Sequence, residues 1–206
     1  MTRIKICGLT READVDAAVE AGADAIGFVF YPPSPRHVTP ERAAVLARRI
    51  PPFVSVVGLF VNATADEIVR TLDQVPINLL QFHGEEPETD CCRWQVPYLR
   101  AARVRPELDL LQYAASFASA RALLLDAFVE GYGGGGKTFD WTLIPPALPL
   151  PLILSGGLTP ENVGAAVRQV QPLAVDVSSG VEAGKGIKDH ARMRAFVAAV
   201  RAAEVR

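Results

Sequence analysis

Short apolar segments of strand length recur along the chain, separated by segments with the pattern of helices. Eight of them are rich in Val, Ile, Leu and Phe and contain little charge, as is typical of parallel strands covered by helices. Their mean spacing of about 24 residues is close to the length of one β/α unit. The predicted strands are 3–7, 25–30, 55–61, 78–83, 98–104, 122–127, 152–156 and 174–178.

Residues that start helices follow several of these strands. Thr39-Pro40-Glu41 and Thr159-Pro160-Glu161 each combine an N-cap threonine with a proline at the first helical position. Thr64 has Glu67 three residues later, which is the spacing of a capping box. We therefore predict an α/β fold, a single (β/α)8 TIM barrel that occupies residues 1–206 as one domain.

An open, doubly wound sheet is the structural alternative, because it also alternates strands and helices. A dinucleotide-binding sheet carries a glycine-rich fingerprint after its first strand. This chain has Cys7-Gly8-Leu9-Thr10 at that position. The sequence therefore favours the barrel.

Composition and charge argue against several classes of protein. Half of the residues are hydrophobic and 21% are charged, so the chain has enough apolar residues for a large core. The net charge is −2, and no run of Lys and Arg alternates with aromatic residues, which argues against nucleic acid as a partner. The sequence shows neither a signal peptide nor an apolar run of about 20 residues, so we expect a cytoplasmic protein that makes no membrane contact.

The cysteines and histidines do not suggest a disulfide framework or a metal site. Two of the three cysteines are adjacent, at Cys91 and Cys92, and the three histidines share no ligand spacing with them. We expect free thiols and no metal.

Two candidate catalytic residues lie at the carboxyl ends of predicted strands, where barrels build their active sites. Cys7 ends the first strand, and Asp126 follows three leucines in the sixth. A carboxylate is costly to bury without a partner, so Asp126 is either a structural acid or a catalytic one. Cys7 is either a small buried hydrophobe or a general base whose thiolate fraction the nearby Lys5 enlarges.

Alternation along the first strand places Lys5 and Cys7 on the face opposite to Ile4 and Ile6. We expect the polar face to line the barrel interior. Asp176 has the matching position on the eighth strand, which lies beside the first when the barrel closes. This parity predicts an interior ion pair between Lys5 and Asp176.

Three further polar residues are candidates for substrate contacts. Gln81 and His83 end the fourth strand, and His83 could equally be a packing histidine. Arg36 ends a loop stiffened by prolines after the second strand. Its planar guanidinium suits a carboxylate, and the alternative is an ordinary solvated arginine.

Glycine-containing loops follow the last two strands. Ser155-Gly156-Gly157 leads into a predicted helix start, and Ser178-Ser179-Gly180 follows the eighth strand. Backbone N–H groups and hydroxyls in these loops suit a phosphate, although each loop alone is also compatible with an ordinary turn. A third loop, 133–136 followed by Lys137, is a linker, a lid or a further phosphate contact.

Seven motifs occur in order over nearly the whole chain: Lys5-Ile6-Cys7-Gly8, Gly27-Phe28-Val29-Phe30 with Ser34-Pro35-Arg36, Leu80-Gln81-Phe82-His83-Gly84, Leu125-Asp126, Phe139-Asp140-Trp141, Ser155-Gly156-Gly157-Leu158 and Asp176-Val177-Ser178-Ser179-Gly180-Val181-Glu182. Together they resemble the phosphoribosylanthranilate isomerase family of tryptophan biosynthesis. Three positions depart from that family's pattern: Phe82 replaces a usual leucine, Gly135 a usual Thr or Ser, and Lys185 a common proline.

The resemblance implies an intramolecular oxidoreductase of the aldose–ketose type. Its reaction is an Amadori rearrangement of N-(5-phosphoribosyl)anthranilate to 1-(2-carboxyphenylamino)-1-deoxyribulose 5-phosphate, and it needs no cofactor. By the same resemblance, Asp126 is the general acid on the furanose ring oxygen, and Cys7 is the base that removes the C2′ proton. We expect a monomer or a homodimer that acts on this small phosphorylated molecule.

The resemblance also implies the substrate-binding residues. Arg36 is expected to hold the anthranilate carboxylate, and groups around the two glycine loops are expected to hold the phosphate. The complete expected set is Arg36, Gln81, His83, Gly156, Gly157, Ser178, Ser179 and Gly180.

Three other functions are weighed against this one. The related histidine-pathway isomerase looks similar around the phosphate but uses an aspartate where this chain has Cys7. A Schiff-base lyase would use Lys5, which lies deep in the strand rather than at the rim. A phosphate-binding module without catalytic activity would bind the substrate without turnover.

Overall fold

Eight parallel strands close into a barrel in sequence order, and the eighth strand pairs with the first. The computed structural model describes residues 1–127 and 138–204. Each observed strand lies within its predicted range, so the predicted TIM barrel is confirmed. The strands are β1 Arg3–Cys7, β2 Ala25–Val29, β3 Ser55–Phe60, β4 Leu79–Phe82, β5 Tyr98–Val104, β6 Ala122–Ala127, β7 Leu152–Leu154 and β8 Ala174–Val177.

Helices cover the outside of the barrel. The described residues between β6 and β7 contain a 3-10 helix at Trp141–Leu143, and an α-helix follows each of the other seven barrel strands. None of the described helices is long and apolar enough to cross a membrane. The helices are α1 Glu12–Ala21, α2 Pro40–Ala47, α3 Ala65–Gln74, α4 Glu88–Cys91, α5 Leu110–Ala115, α6 Val163–Val170 and α7 His190–Glu204.

Two of the predicted helix starts are confirmed in detail. The Thr39 side chain accepts a hydrogen bond from the Arg42 N–H at the start of α2. Thr64 and Glu67 form the reciprocal capping box of α3. These bonds satisfy N–H groups that have no partner inside the helix, and so they fix where each helix begins.

The predicted helix start at Thr159-Pro160-Glu161 is wrong, because α6 begins later, at Val163. Asn162 explains the delay. Its Oδ1 accepts the Thr159 N–H at 2.8 Å, and its Nδ2 donates to the Gly157 carbonyl at 2.9 Å. These bonds form a turn, so the loop after β7 is longer than predicted and its backbone is fixed to the Asn162 side chain.

A short antiparallel hairpin separates β8 from the last helix. Its strands are β9 Glu182–Gly184 and β10 Ile187–Lys188. Lys185 lies exposed at its tip, whereas Lys188 points inward and is buried. The hairpin therefore brings a second lysine toward the carboxyl ends of the strands.

Candidate active site

Lys5 and Asp176 form the predicted ion pair inside the barrel. The two residues are direct neighbours in the pairing of β1 with β8, and Lys5 Nζ lies 2.8 Å from Asp176 Oδ1. Both side chains are almost fully buried. Burial alone would lower the pKa of Lys5, but Asp176 and then Cys7 outweigh that effect and raise it. Lys5 is therefore a fixed cation beneath the end of β1.

Breaking this pair is expected to destabilise the fold strongly. Lys5→Met leaves the Asp176 carboxylate buried without its cation, so we expect a loss of about 3–5 kcal/mol in the free energy of unfolding. Urea denaturation at neutral pH measures it. The double variant Lys5→Met/Asp176→Leu removes both charges and should lose less than the single variant. A single variant as stable as the wild type would contradict the structural role of the pair.

Cys7 ends β1 in a small apolar pocket at the rim. It packs with Val29, Leu59 and Val61, and it is 4% exposed. Gly27 lies beside it in β2, where an added Cβ would be 2.7 Å from the Cys7 Sγ. Burial raises the pKa of the Cys7 thiol, and the Lys5 ammonium offsets only part of that rise. Lys5 thus lowers the pKa of the thiol, in the expected direction, but by less than burial raises it.

Asp126 lies near the end of β6 with its side chain directed into the barrel mouth. Its Oδ1 accepts the Ala127 N–H at 2.9 Å, and its Oδ2 lies 3.2 Å from His83 Nε2. The residue is 8% exposed. Only β7 and β8 separate its strand from that of Cys7 in the closed barrel. A thiol and a carboxyl group thus face the same mouth from separate strands.

Gln81 and His83 lie on the inward face of β4 and just beyond it. Gln81 is completely buried, and its amide contacts His83 Nδ1 at 3.1 Å. His83 is also buried, and its ring extends from Gln81 toward Asp126. The structure therefore brings these two predicted residues together with Asp126, and Gln81 lies beneath His83.

Arg36 lies at the rim, but a carboxylate of the protein already binds it. Glu182 accepts hydrogen bonds from Arg36 Nε at 2.7 Å and from Nη2 at 2.8 Å. Lys188 Nζ donates to the same carboxylate at 3.0 Å. Burial alone would raise the pKa of Glu182, but Arg36 and Lys188 together lower it. Two cations and one anion form this cluster, which leaves a net positive charge near Cys7.

Lys188 also joins this cluster to the loop after β8. Its Nζ donates to the Ser178 carbonyl at 3.0 Å, and the Ser178 hydroxyl donates to the Cys7 carbonyl at 3.0 Å. Burial lowers the pKa of Lys188, and Glu182 opposes that shift. The sequence alone did not indicate Lys188, because its position depends on the hairpin, whose short strands carry little pattern of their own.

The loops after β7 and β8 touch each other at the rim. Gly156 has a φ of +78°, and an added Cβ there would lie 2.4 Å from the Ala127 nitrogen. At Gly180 an added Cβ would lie 1.8 Å from the Leu158 carbonyl oxygen. Only glycine permits these approaches. Gly156 thus lies against the end of β6, and Gly180 lies against the loop after β7.

In these loops, two carbonyl groups that would repel an anion already accept hydrogen bonds from side chains. The Gly157 carbonyl accepts from Asn162 Nδ2 at 2.9 Å, and the Gly180 carbonyl accepts from Arg192 Nε at 3.0 Å. Arg192 also places a cation beside the loop after β8, which the sequence alone did not indicate. The arrangement suits an anion better than a cation.

The three departures from the family pattern lie away from Cys7 and Asp126 or outside the described residues. Phe82 points toward the helices, where its ring packs 5.8 Å from that of Tyr98. Lys185 is exposed at the hairpin tip. Gly135 lies in the loop 133–136, which is outside the described ranges, as is Lys137 after it.

In the described part of the chain, no group of three His, Cys, Asp or Glu side chains is placed to hold a metal ion.

The closed barrel, buried ionisable groups at its rim and two touching glycine loops define the class of sugar-phosphate barrel enzymes. A family model described as N-(5'phosphoribosyl)anthranilate (PRA) isomerase matches residues 4–199. A relative from Dechloromonas aromatica, named N-(5'-phosphoribosyl)anthranilate isomerase, is 72% identical over 204 residues, or 98% of each chain. The chain belongs to the PRA isomerase family and is an isomerase, as the sequence motifs indicated.

Solved structures agree with this assignment. The phosphoribosyl anthranilate isomerase of Thermotoga maritima has a TM-score of 0.91 and 45% identity, over 98% of this chain and 100% of that one. Another isomerase structure, in complex with reduced 1-(o-carboxyphenylamino)-1-deoxyribulose 5-phosphate, has a TM-score of 0.87 and 41% identity, over the same shares of the two chains. The expected place of the reaction, tryptophan biosynthesis, is confirmed with the family.

Proposed function

We propose that the protein converts N-(5-phosphoribosyl)anthranilate into 1-(2-carboxyphenylamino)-1-deoxyribulose 5-phosphate by acid–base catalysis. The observation that carries this proposal is the placement of a buried thiol and a buried carboxyl group at one barrel mouth, beside two glycine loops. The family assignment supports the same reaction. The chemistry moves protons only, so no cofactor is required.

In the first step, Asp126 gives its proton to the furanose ring oxygen, and the C1–O bond breaks to form a Schiff base. The Ala127 N–H holds Oδ1, so Oδ2 is the oxygen placed to carry the proton. In the second step, Cys7 removes the C2′ proton, which gives an enolamine that tautomerises to the ketone. The thiol must be ionised for this step.

In the state that reacts, Asp126 is protonated and Cys7 is ionised, so the two groups hold one proton between them. The other arrangement of that proton, a Cys7 thiol beside an Asp126 carboxylate, has the same total charge. Burial raises the pKa of Cys7 and so opposes formation of the thiolate. Lys5 and the cluster around Lys188 act in the other direction, since positive charge favours a thiolate.

Arg36 is proposed to bind the anthranilate carboxylate while it stays paired with Glu182. Glu182 takes Nε and Nη2, so an incoming carboxylate would bind through Nη1. The fixed pair holds the guanidinium plane in place before the substrate arrives. Such preorganisation lowers the cost of ordering a long side chain on binding.

The substrate phosphate is proposed to bind at the two touching loops, against Gly156, Gly157, Ser178, Ser179 and Gly180. Their engaged carbonyls and the nearby Arg192 favour an anion there. Gln81 and His83 stay predicted members of the substrate site. Of these two, only His83 is placed beside a reacting group, through its contact with Asp126.

Gly180→Ala is expected to weaken substrate binding. The new Cβ would meet the Leu158 carbonyl oxygen at 1.8 Å, so the two loops must separate. We expect an overpacking cost of about 1–3 kcal/mol, seen as a raised KM and a lowered unfolding free energy. Gly184→Ala is the matched control, since an added Cβ there meets nothing within 4 Å. Equal KM values for the two variants would contradict the proposed phosphate site.

The function is tested by mixing the pure protein with N-(5-phosphoribosyl)anthranilate and following the anthranilate fluorescence. We expect catalytic turnover without an added metal or cofactor. Binding without turnover would favour a ligand-binding module. Trapping of substrate by borohydride at Lys5 would favour a lyase, although its raised pKa keeps this amine protonated and makes it a poor nucleophile.

Oligomeric state, location and domain extent stay predictions. We expect a monomer or homodimer in the cytoplasm, with residues 1–206 in one domain and without nucleic acid as a partner. Light scattering of the purified chain measures the first of these.

A further inference from the structure

One buried carboxylate, that of Glu86, joins the loops that follow β3 and β4. Its Oε1 accepts the Asn62 N–H at 2.6 Å, and its Oε2 accepts the Gly84 N–H at 2.9 Å. In return, the Asn62 side chain accepts the Glu85 N–H at 2.7 Å. Two hydrogen bonds thus tie the loops together, and a third holds the second loop around the carboxylate.

Arg100 of β5 binds this carboxylate from the outer face of the barrel. Its Nη1 lies 2.7 Å from Glu86 Oε2, and its Nη2 donates to the Gly84 carbonyl at 2.9 Å. The guanidinium also lies over the ring of Phe117, 4.6 Å from its centroid. Both charged side chains are almost fully buried. Removing one partner would leave the other charge buried alone, so the arrangement of the loops depends on both.

The two loops approach each other too closely for a side chain at Gly84. An added Cβ there would lie 2.3 Å from Asn62 Oδ1 and 2.8 Å from the Asn62 nitrogen. Asn62 itself has a φ of +51°, a left-handed conformation in which asparagine is enriched over other residues with side chains. The contact therefore depends on these two residue types as well as on the ion pair.

The residues that precede the two anchored amides belong to the barrel mouth. Val61, just before the first amide, is part of the apolar wall against which Cys7 packs. His83, just before the second amide, has its ring beside Asp126. A single carboxylate thus binds the backbone next to a neighbour of the proposed base and next to a neighbour of the proposed acid.

We propose that Glu86 and Arg100 are positioning residues for catalysis, which fix the two loops that flank Cys7 and Asp126. They act through the backbone of these loops and not by touching the substrate. A misplacement of about 1 Å in an active site can cost about 10²-fold in rate, so a fixed spacing of the two loops matters for kcat. This inference rests on the proposed roles of Cys7 and Asp126.

Glu86→Gln tests the ion pair, because an amide offers one acceptor oxygen to the three N–H donors that surround the carboxylate. The anthranilate and phosphate contacts are proposed on other strands. We therefore expect kcat per folded molecule, with the folded fraction taken from urea denaturation, to fall about 10-fold to 100-fold, and KM to change less than about threefold. Glu107→Gln, exposed in the loop after β5, is the matched control. A loss of stability with an unchanged kcat, or a change confined to KM, would overturn the proposal.

Gly84→Ala separates the same loops without removing a charge, and it carries the test if Glu86→Gln does not fold. In both variants we expect iodoacetamide to alkylate Cys7 at least about threefold faster under native conditions, because the wall at Val61 loosens. Mass spectrometry of the Cys7 peptide measures this rate without turnover, so it separates failure of this proposal from failure of the proposed function. A wild-type kcat or a wild-type alkylation rate in Gly84→Ala would overturn the proposal.

Discussion

Replacing Asp126 by Asn is expected to lower kcat by roughly 10²-fold to 10⁴-fold, the range for loss of a general acid or base. Asparagine has the same shape and can still accept the Ala127 N–H through its oxygen, so the side chain keeps its place. It cannot give a proton to the ring oxygen. The loss should therefore appear in kcat, measured by anthranilate fluorescence at saturating substrate.

A second carboxylate shows whether this effect is specific. Asp73 lies exposed on α3, and Asp73→Asn removes the same charge without reaching the barrel mouth. We expect its kcat to equal that of the wild type. Full activity in Asp126→Asn would remove Asp126 from its proposed role while leaving the reaction itself in place.

Cys7→Ser is expected to lower kcat by a similar factor, roughly 10²-fold to 10⁴-fold. A serine hydroxyl fits the small pocket between Val29, Leu59 and Val61, but it ionises far less readily than a thiol. The Ser178 bond to the Cys7 carbonyl does not involve the side chain, so the end of β1 should keep its position.

The chain supplies its own control for this change. Cys92 is an exposed thiol, and Cys92→Ser should leave kcat unchanged. Cys91 is buried with a pKa raised to about 12, so it does not contribute a thiolate at neutral pH. A Cys7→Ser enzyme that matches the wild type would show that another group removes the proton.

Much of the fold follows from local patterns that the sequence carries openly. Apolar runs give the order of the strands, and the caps at Thr39 and Thr64 give the starts of α2 and α3. The start of α6 at Val163 did not follow, because Asn162 forms a turn with Thr159 and Gly157 that competes with the N-cap at Thr159. Side-chain bonds of this kind depend on the folded loop.

The candidate site was predictable where it depends on strand parity. The Lys5 and Asp176 pair follows from alternation and barrel closure alone. The pairing of Arg36 with Glu182 did not follow, because it joins the loop after β2 to the hairpin after β8. The role of Lys188 was hidden for the same reason, since no periodicity places a short hairpin over the barrel mouth.

Burial of Cys7 in its apolar surroundings raises the pKa of the thiol. Lys5 beneath it and Lys188 beside it lower that pKa and so offset part of the effect. The barrel places the proposed acid and the proposed base on separate strands with separate neighbours.

The pH dependence of the residual kcat/KM in the two variants tests the assignment of acid and base most directly. In Asp126→Asn only the thiolate is still required, so the residual activity should rise with pH as Cys7 ionises, above the usual thiol range because burial raises its pKa. In Cys7→Ser only the protonated acid is still required, so the residual activity should fall as pH rises. Profiles that slope in the reverse directions, or that share one direction, would contradict the assignment of Cys7 as the base and Asp126 as the acid.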